Sequence, residues 1–430
     1  MLWKVNPMRL HRFAGASAGL LAAFTAAPAL SQTSDWAANA ATKTVVVGTG
    51  NPDVDIPAVQ TAVDRGGEVT LEGRFSFDRP PTVPTPLVPA TILVSTAVVI
   101  SGARHASIEA GTIPFYVEAP GASVTIQTLH FVRPKNSAIL VDAVSGLTIA
   151  SCKIEGIVPV PPRPSSGLWI STMGSAIPFP NQPGHPEKIS GRLVIANNDI
   201  DAGGGTAAGN VLGITVFSVG QSPDKQVDIY VSGNEIKYIT EPAINFRRVG
   251  GRAHIEDNVI TTGTLLGTAA RPEAIRVVNI GSYVTARNSV DCQWPDPSAI
   301  GIGVWSQSAD WPVEGAVVVD NEVTISPPDG TVFGDLSAGI DIRGFVHDSF
   351  VANNRIRGRA RAALALDVFD GGVPANNAFD LNRFDHFEAS RADVFVDVGV
   401  TDTLILGQKG TVEDNGVNTV IVHFHRRPRE

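Results

Sequence analysis

Leu193-Val194-Ile195-Ala196-Asn197-Asn198-Asp199-Ile200 decides how this 430-residue chain is read. Ile195 stands three residues before Asn198 and Ile200 two after it, and the same spacing returns at Ile255 to Ile260 around Asn258, Thr285 to Val290 around Asn288, Val318 to Val323 around Asn321 and Val351 to Ile356 around Asn354. It is a repeat. Asn234-Glu235-Ile236 is a further copy with a shifted lead-in, Asn382-Arg383-Phe384 a seventh, and Ser151-Cys152-Lys153-Ile154 an earlier one with Cys in the Asn place. From Asn198 the Asn positions advance by 36, 24, 30, 33, 33 and 28 residues, so the strand cores hold while insertions leave at the turns.

A second short apolar run precedes each Asn segment, among them Leu168-Trp169-Ile170, Ile214-Thr215-Val216, Ile244-Asn245-Phe246, Ile275-Arg276-Val277, Ile302-Gly303-Val304, Ile340-Asp341-Ile342 and Leu364-Ala365-Leu366. These runs have period two, and no convincing amphipathic helix lies between them. Units that bury one face only by stacking on their neighbours form a solenoid. The repeated Asn suits a tight bend, where it tolerates left-handed geometry and can stack as a hydrogen-bonded ladder. A leucine-rich repeat is the rival, since Leu193 to Ile200 also fits LxLxxNxL, but its upstream LxxL is missing and Val and Ile dominate.

Composition agrees. Hydrophobic residues make up 43% and charged residues 17%, with Gly 42 and Pro 30, a balance suited to strands and turns rather than charged helices. The net charge is -9, and no basic block is large enough for a general nucleic-acid binder.

The pattern resembles the right-handed parallel β-helix of the pectate-lyase-like superfamily over Val45 to Val422. Val45-Val46-Val47-Gly48-Thr49-Gly50, then Ile56 to Asp64, then Gly66-Gly67-Glu68-Val69-Thr70-Leu71 look like that family's opening strand, short capping helix and first coil. Asp55 is expected as the helix N-cap with Pro57 in the first turn. The expected class is all-β: a single-stranded right-handed parallel β-helix with a short N-terminal capping helix.

If the aliphatic residues point inward, the residues between and after them point outward in two columns. One is Thr215, Asn245, Arg276, Gly303, Asp341 and Ala365; the other is Ser171, Phe217, Arg247, Val278, Trp305, Arg343 and Asp367. Arg247, Arg276, Arg343, Asp341 and Asp367 therefore share one strip with Asn245 and Trp305. Arginine reads carboxylate with parallel donors and an indole face stacks on a sugar ring, so the strip is expected to bind an acidic polysaccharide. Its borders are expected at Pro159 to Lys188, Gln293 to Ser298, Ser306 to Glu314 and Pro327 to Ser337, which bring Trp294, Trp311 and His185 to the substrate. On this view Arg276→Ala or Arg343→Ala should weaken binding with little loss of stability.

The resemblance implies β-elimination, with Arg247, Arg276 or Arg343 as base and Asp341 and Asp367 as possible holders of Ca²⁺. The signatures of the relatives are missing, however. The carboxylate cluster of calcium-dependent pectate lyases, the NTD, GHG and RIK boxes of polygalacturonases and the DPH box of alginate epimerases are not found; Ala338 to Gly344 matches the GVDFIFG motif of pectin methylesterases only loosely. The alternative is a non-catalytic surface or adhesion solenoid. Gly48-Thr49-Gly50 lacks the third Gly of a dinucleotide loop. His423 and His425 share a strand face without a third metal ligand. Arg355, Arg357, Arg359 and Arg361 alternate outward and are expected to stay solvated.

Residues 1–31 read as a secretory signal, with Lys4, Arg9 and Arg12 before the uncharged run Phe13 to Leu30 and a cut before Gln32. A linker over 32–44, the β-helix over 45–422 and a tail over 423–430 would follow. Removing the signal gives a charge of (33 − 3) − 42 = -12, and no later run is long enough to span a membrane. The implied location is secreted or periplasmic. Cys152 and Cys292 lie four coils apart, about 19 Å at ~4.8 Å per coil, so two free thiols are expected.

Overall fold

Successive runs of the repeat pair side by side in the computed structural model, which describes residues 43–85, 88–103, 105–160, 165–171, 188–203, 210–220, 226–263 and 273–422. Among the described residues a 32-stranded parallel system links the coils from Lys43–Thr49 to Val420–Val422, each strand pairing with its counterpart in a neighbouring repeat. The protein is a parallel β-helix. The signal segment and the His423–His425 pair lie outside the described residues.

Register confirms the inward ladder. Val69, Ile100, Ile126, Ile149, Ile195, Val231, Ile255, Thr285, Val318, Val351, Phe379 and Ile405 follow one another in consecutive coils, and all are buried. Thr285 breaks the aliphatic series: its Oγ1 is buried with no hydrogen-bond partner. A buried unsatisfied hydroxyl costs about 1–3 kcal/mol. Thr285→Val should therefore add about 1 kcal/mol of stability, seen as a higher urea midpoint, and an unchanged or lowered midpoint would count against this packing.

The Asn ladder is continuous. Each side-chain amide donates to the next Asn Oδ1 at 2.9–3.0 Å, from Asn198 through Asn234, Asn258, Asn288, Asn321 and Asn354 to Asn382. That oxygen also accepts the backbone N–H of the preceding Asn, at 3.0 Å for each pair. The left-handed residue is one earlier than expected: Ser151, Asn197, Gly233, Asp257, Arg287, Asp320, Asn353 and Leu381 have φ of 50–64°. The bend is made before the Asn, which frees the Asn amide to reach along the axis.

Cys152 takes the Asn place as expected. Its N–H donates to Asn198 Oδ1 at 3.0 Å, and its thiol points at the Ile126 carbonyl as the Asn amides point at theirs. Cys152 and Cys292 are both free and buried, and burial pushes each thiol up to about 12.

One helix, Pro52–Arg65, closes the N-terminal end of the core with Val59, Ala62 and Val63. Its N-cap is Asn51, not Asp55: the Asn51 side chain accepts the Asp53 N–H at 3.0 Å, and Pro52, not Pro57, opens the first turn. Asp55 is buried instead, accepting from Thr49 N–H and Oγ1–H at 2.8 Å and from Ser76 N–H at 2.9 Å. It therefore ties the helix to the first two strands.

Candidate functional site

Both outward columns form in the expected register. Thr215, Asn245, Arg276, Gly303, Asp341 and Ala365 align, and beside them Phe217, Arg247, Val278, Trp305, Arg343 and Asp367. The strands Val211–Val219, Ile244–Glu256, Glu273–Ala286, Ile300–Ser306, Ala338–Gly344 and Ala362–Asp367 carry them.

What differs is exposure. Trp305 is 1% exposed and Asp341 0%, and Asn245, Arg276, Arg343 and Asp367 are also buried; only Arg247 is half-buried. Burial of a guanidinium demands a partner. Glu273, absent from the sequence-derived set, supplies it: the carboxylate bonds Arg343 Nη2 and lies 3.2 Å from Arg276 Nε. Arg343 Nη1 is also 3.4 Å from Asp341 Oδ2. Arg361, expected to stay solvated, is buried and donates to both oxygens of Asp367 at 3.2 and 2.5 Å. Arg355, Arg357 and Arg359 remain at the surface, paired with Asp385, Glu322 and Asp329.

Gly303 makes the arrangement possible. A Cβ there would lie 3.1 Å from Glu273 Cγ, so the missing side chain leaves the space through which Glu273 reaches the coil of Arg343. Both Arg276 and Arg343 sit 5.0 Å from the Trp305 ring centroid, and Phe369 meets Trp305 edge-on at 5.4 Å. Three arginines thus face three carboxylates in a sealed, aromatic-lined floor.

Burial holds the Asp341 carboxyl well above the ordinary carboxylate range, and nearby Asp367 adds to the effect against the opposing pull of Arg343 and Arg361. A carboxyl raised in the folded state binds more protons folded than unfolded, so its stabilising effect is present in acid, below about pH 4, and lost as pH rises. Asp341→Asn should flatten that slope, gaining on the parent between pH 5 and pH 8 in denaturant titrations. An identical slope in both proteins would rule out Asp341 as its source.

Two expected sugar contacts part company. Trp294 is fully buried in the core, with its indole N–H 3.3 Å from the Ile239 carbonyl, so it cannot stack on a sugar. Trp311 is partly exposed in the turn after Ile300–Ser306, its carbonyl accepting from Ser306 Oγ at 2.7 Å. The corresponding turns of the next two coils bring Phe345 and Phe369, also partly exposed. These turns touch: Phe345 N–H donates to the Ser306 carbonyl at 3.1 Å, and Phe345 packs so close to Gly372 that a Cβ there would be 2.6 Å from its ring. Trp311, Phe345 and Phe369 thus stand in neighbouring turns along one edge of the coils, an aromatic edge in sequence position that aligning the turns as well as the strands would have found. His185 and most of the Pro159 to Lys188 excursion lie outside the described residues.

Among the described residues, no group of three or more His, Cys, Asp and Glu side chains is placed to hold a metal, and no helix is long and apolar enough to cross a membrane. A cation between Asp341 and Asp367 would face Arg343 and Arg361 as well, which does not suit Ca²⁺. A scan of protein-family models and a search of curated proteins each find no match. Two solved structures of PfbA, a surface adhesin of Streptococcus pneumoniae, have a similar fold. One gives a TM-score of 0.57 at 13% identity, over 82% of this chain and 91% of that one; the other gives 0.52 at 13%, over 82% of this chain and 100% of that one. The likeness is one of fold, and the fold it supports is the β-helix.

Proposed function

We propose that the chain is an exported, non-catalytic β-helix that binds polysaccharide at the aromatic edge of Trp311, Phe345 and Phe369. One observation carries this reading: Arg276 and Arg343, two of the three arginines expected as a base for elimination, are buried against Glu273 and Asp341. A buried, ion-paired guanidinium does not meet substrate. Trp311, Phe345 and Phe369 are partly exposed, and stacking on partly exposed rings is a recognised mode of sugar contact. The adhesin described as a surface protein is consistent with such a role outside the cell.

Trp311→Ala combined with Phe345→Ala should reduce retention on immobilised polysaccharide about tenfold, from about 0.5–1.5 kcal/mol per stacked ring, and leave the thermal transition in place. Incubation with pectate, alginate or glycosaminoglycans, with and without Ca²⁺, should produce no ultraviolet absorbance from unsaturated uronate. Appearance of that absorbance would refute the non-catalytic reading.

A further inference from the structure

We propose that the polysaccharide taken by this edge is uncharged, an inference that rests on the aromatic edge being the binding site. The acidic ligand expected from the sequence depended on arginines available to it. Of those arginines, Arg343 is buried and spent on Glu273 and Asp341, Arg276 lies buried against Glu273, and Arg247 is half-buried and stands two coils before Trp305.

The turns that form and flank the edge point the same way. Residues 307–315, 344–349, 368–376 and 397–402 contain Asp310, Glu314, Asp348, Asp370, Asp397 and Asp402 and not one Lys or Arg. Asp310, Glu314, Asp348 and Asp370 are exposed, Asp310 directly before Trp311 and Asp370 directly after Phe369. A uronate or sulfated chain laid on these rings would meet like charge well within the ~8 Å screening length of physiological salt. Sugar hydroxyls, by contrast, donate to carboxylates, and such charge-assisted bonds are roughly twice as strong as neutral ones. Rings for the flat sugar face beside carboxylates for its hydroxyls make a site for a neutral chain.

The test is affinity electrophoresis of the full chain in gels containing dextran, galactomannan or xyloglucan, against gels containing polygalacturonate, alginate or hyaluronan, at low and high salt. Retardation is expected only in the neutral gels and should not change with salt. Asp310→Asn together with Asp370→Asn should weaken it about tenfold, the loss of hydrogen bonds to charged acceptors. Retardation by uronate polymers that fades with salt and is abolished by Trp311→Ala would overturn the uncharged ligand while keeping the edge as the binding site. No retardation in either set of gels would overturn both.

Discussion

Arg343→Ala should lower folding stability by about 3–5 kcal/mol, because it removes the guanidinium that bonds the buried Glu273 carboxylate and leaves that charge to Arg276 alone. This reverses the sequence-based expectation of a binding defect with little effect on stability. The reason is position. Arg343 is 5% exposed and its guanidinium also packs on Trp305 and Phe369 at 5.0 and 5.2 Å, so truncation removes aromatic contact together with charge. Arg361→Ala should behave alike by orphaning Asp367, whereas Arg355→Ala, which breaks a surface pair, should cost no more than about 1 kcal/mol. Replacing Arg276, Glu273 and Arg343 together by apolar residues of similar size should recover most of the loss, since a buried ionic group contributes little over a hydrophobic one. Equal, small effects at Arg343 and Arg355 in denaturant titrations would mean that the strip is solvated after all.

The contrast shows which features were legible. Strand register was, because inward aliphatic residues at period two leave each outward residue one possible neighbour in the next coil; Asn245, Arg276 and Asp341, and Trp305, Arg343 and Asp367, fall where spacing alone put them. Burial was not. Whether an outward column faces water depends on what lies over it, and Glu273 bonds Arg343 across 70 residues through a gap that only Gly303 opens. No local pattern marks Glu273 as a partner. Trp294 failed for a related reason: proximity in sequence to Trp305 and Trp311 suggested a cluster, but the chain turns Trp294 inward beneath the coil that carries Trp305. Trp311 stays partly exposed because its turn leaves the coil.

The Asn ladder offers the second large effect and tests the fold itself. Asn288 sits in the interior of the ladder: its Oδ1 accepts from Asn258 N–H and Nδ2–H at 3.0 and 2.9 Å, and its own amide donates to Asn321 Oδ1 at 3.0 Å and the Ile255 carbonyl at 2.9 Å. Alanine would remove all four bonds at a site with no access to water. At about 1–3 kcal/mol for each buried group left unsatisfied, with Asn258 losing partners for two donors, Asn288→Ala should cost about 3–5 kcal/mol. Asn382 is the last rung: its Oδ1 accepts from Asn354 N–H and Nδ2–H at 3.0 and 2.9 Å and its amide reaches the Val351 carbonyl but no further Asn, so Asn382→Ala removes three bonds rather than four and should cost about a quarter less. At the opposite end Cys152→Asn should add a rung, because the Cys152 N–H already bonds Asn198 Oδ1 and the thiol already points at the Ile126 carbonyl, as the N–H and amide of each Asn rung do. Denaturant titration of the three variants should therefore give a graded series, deepest at Asn288, shallower at Asn382 and mildly stabilising at Cys152. A flat series would mean that each bend is held locally, by its left-handed residue alone, and that the coils do not communicate along the axis.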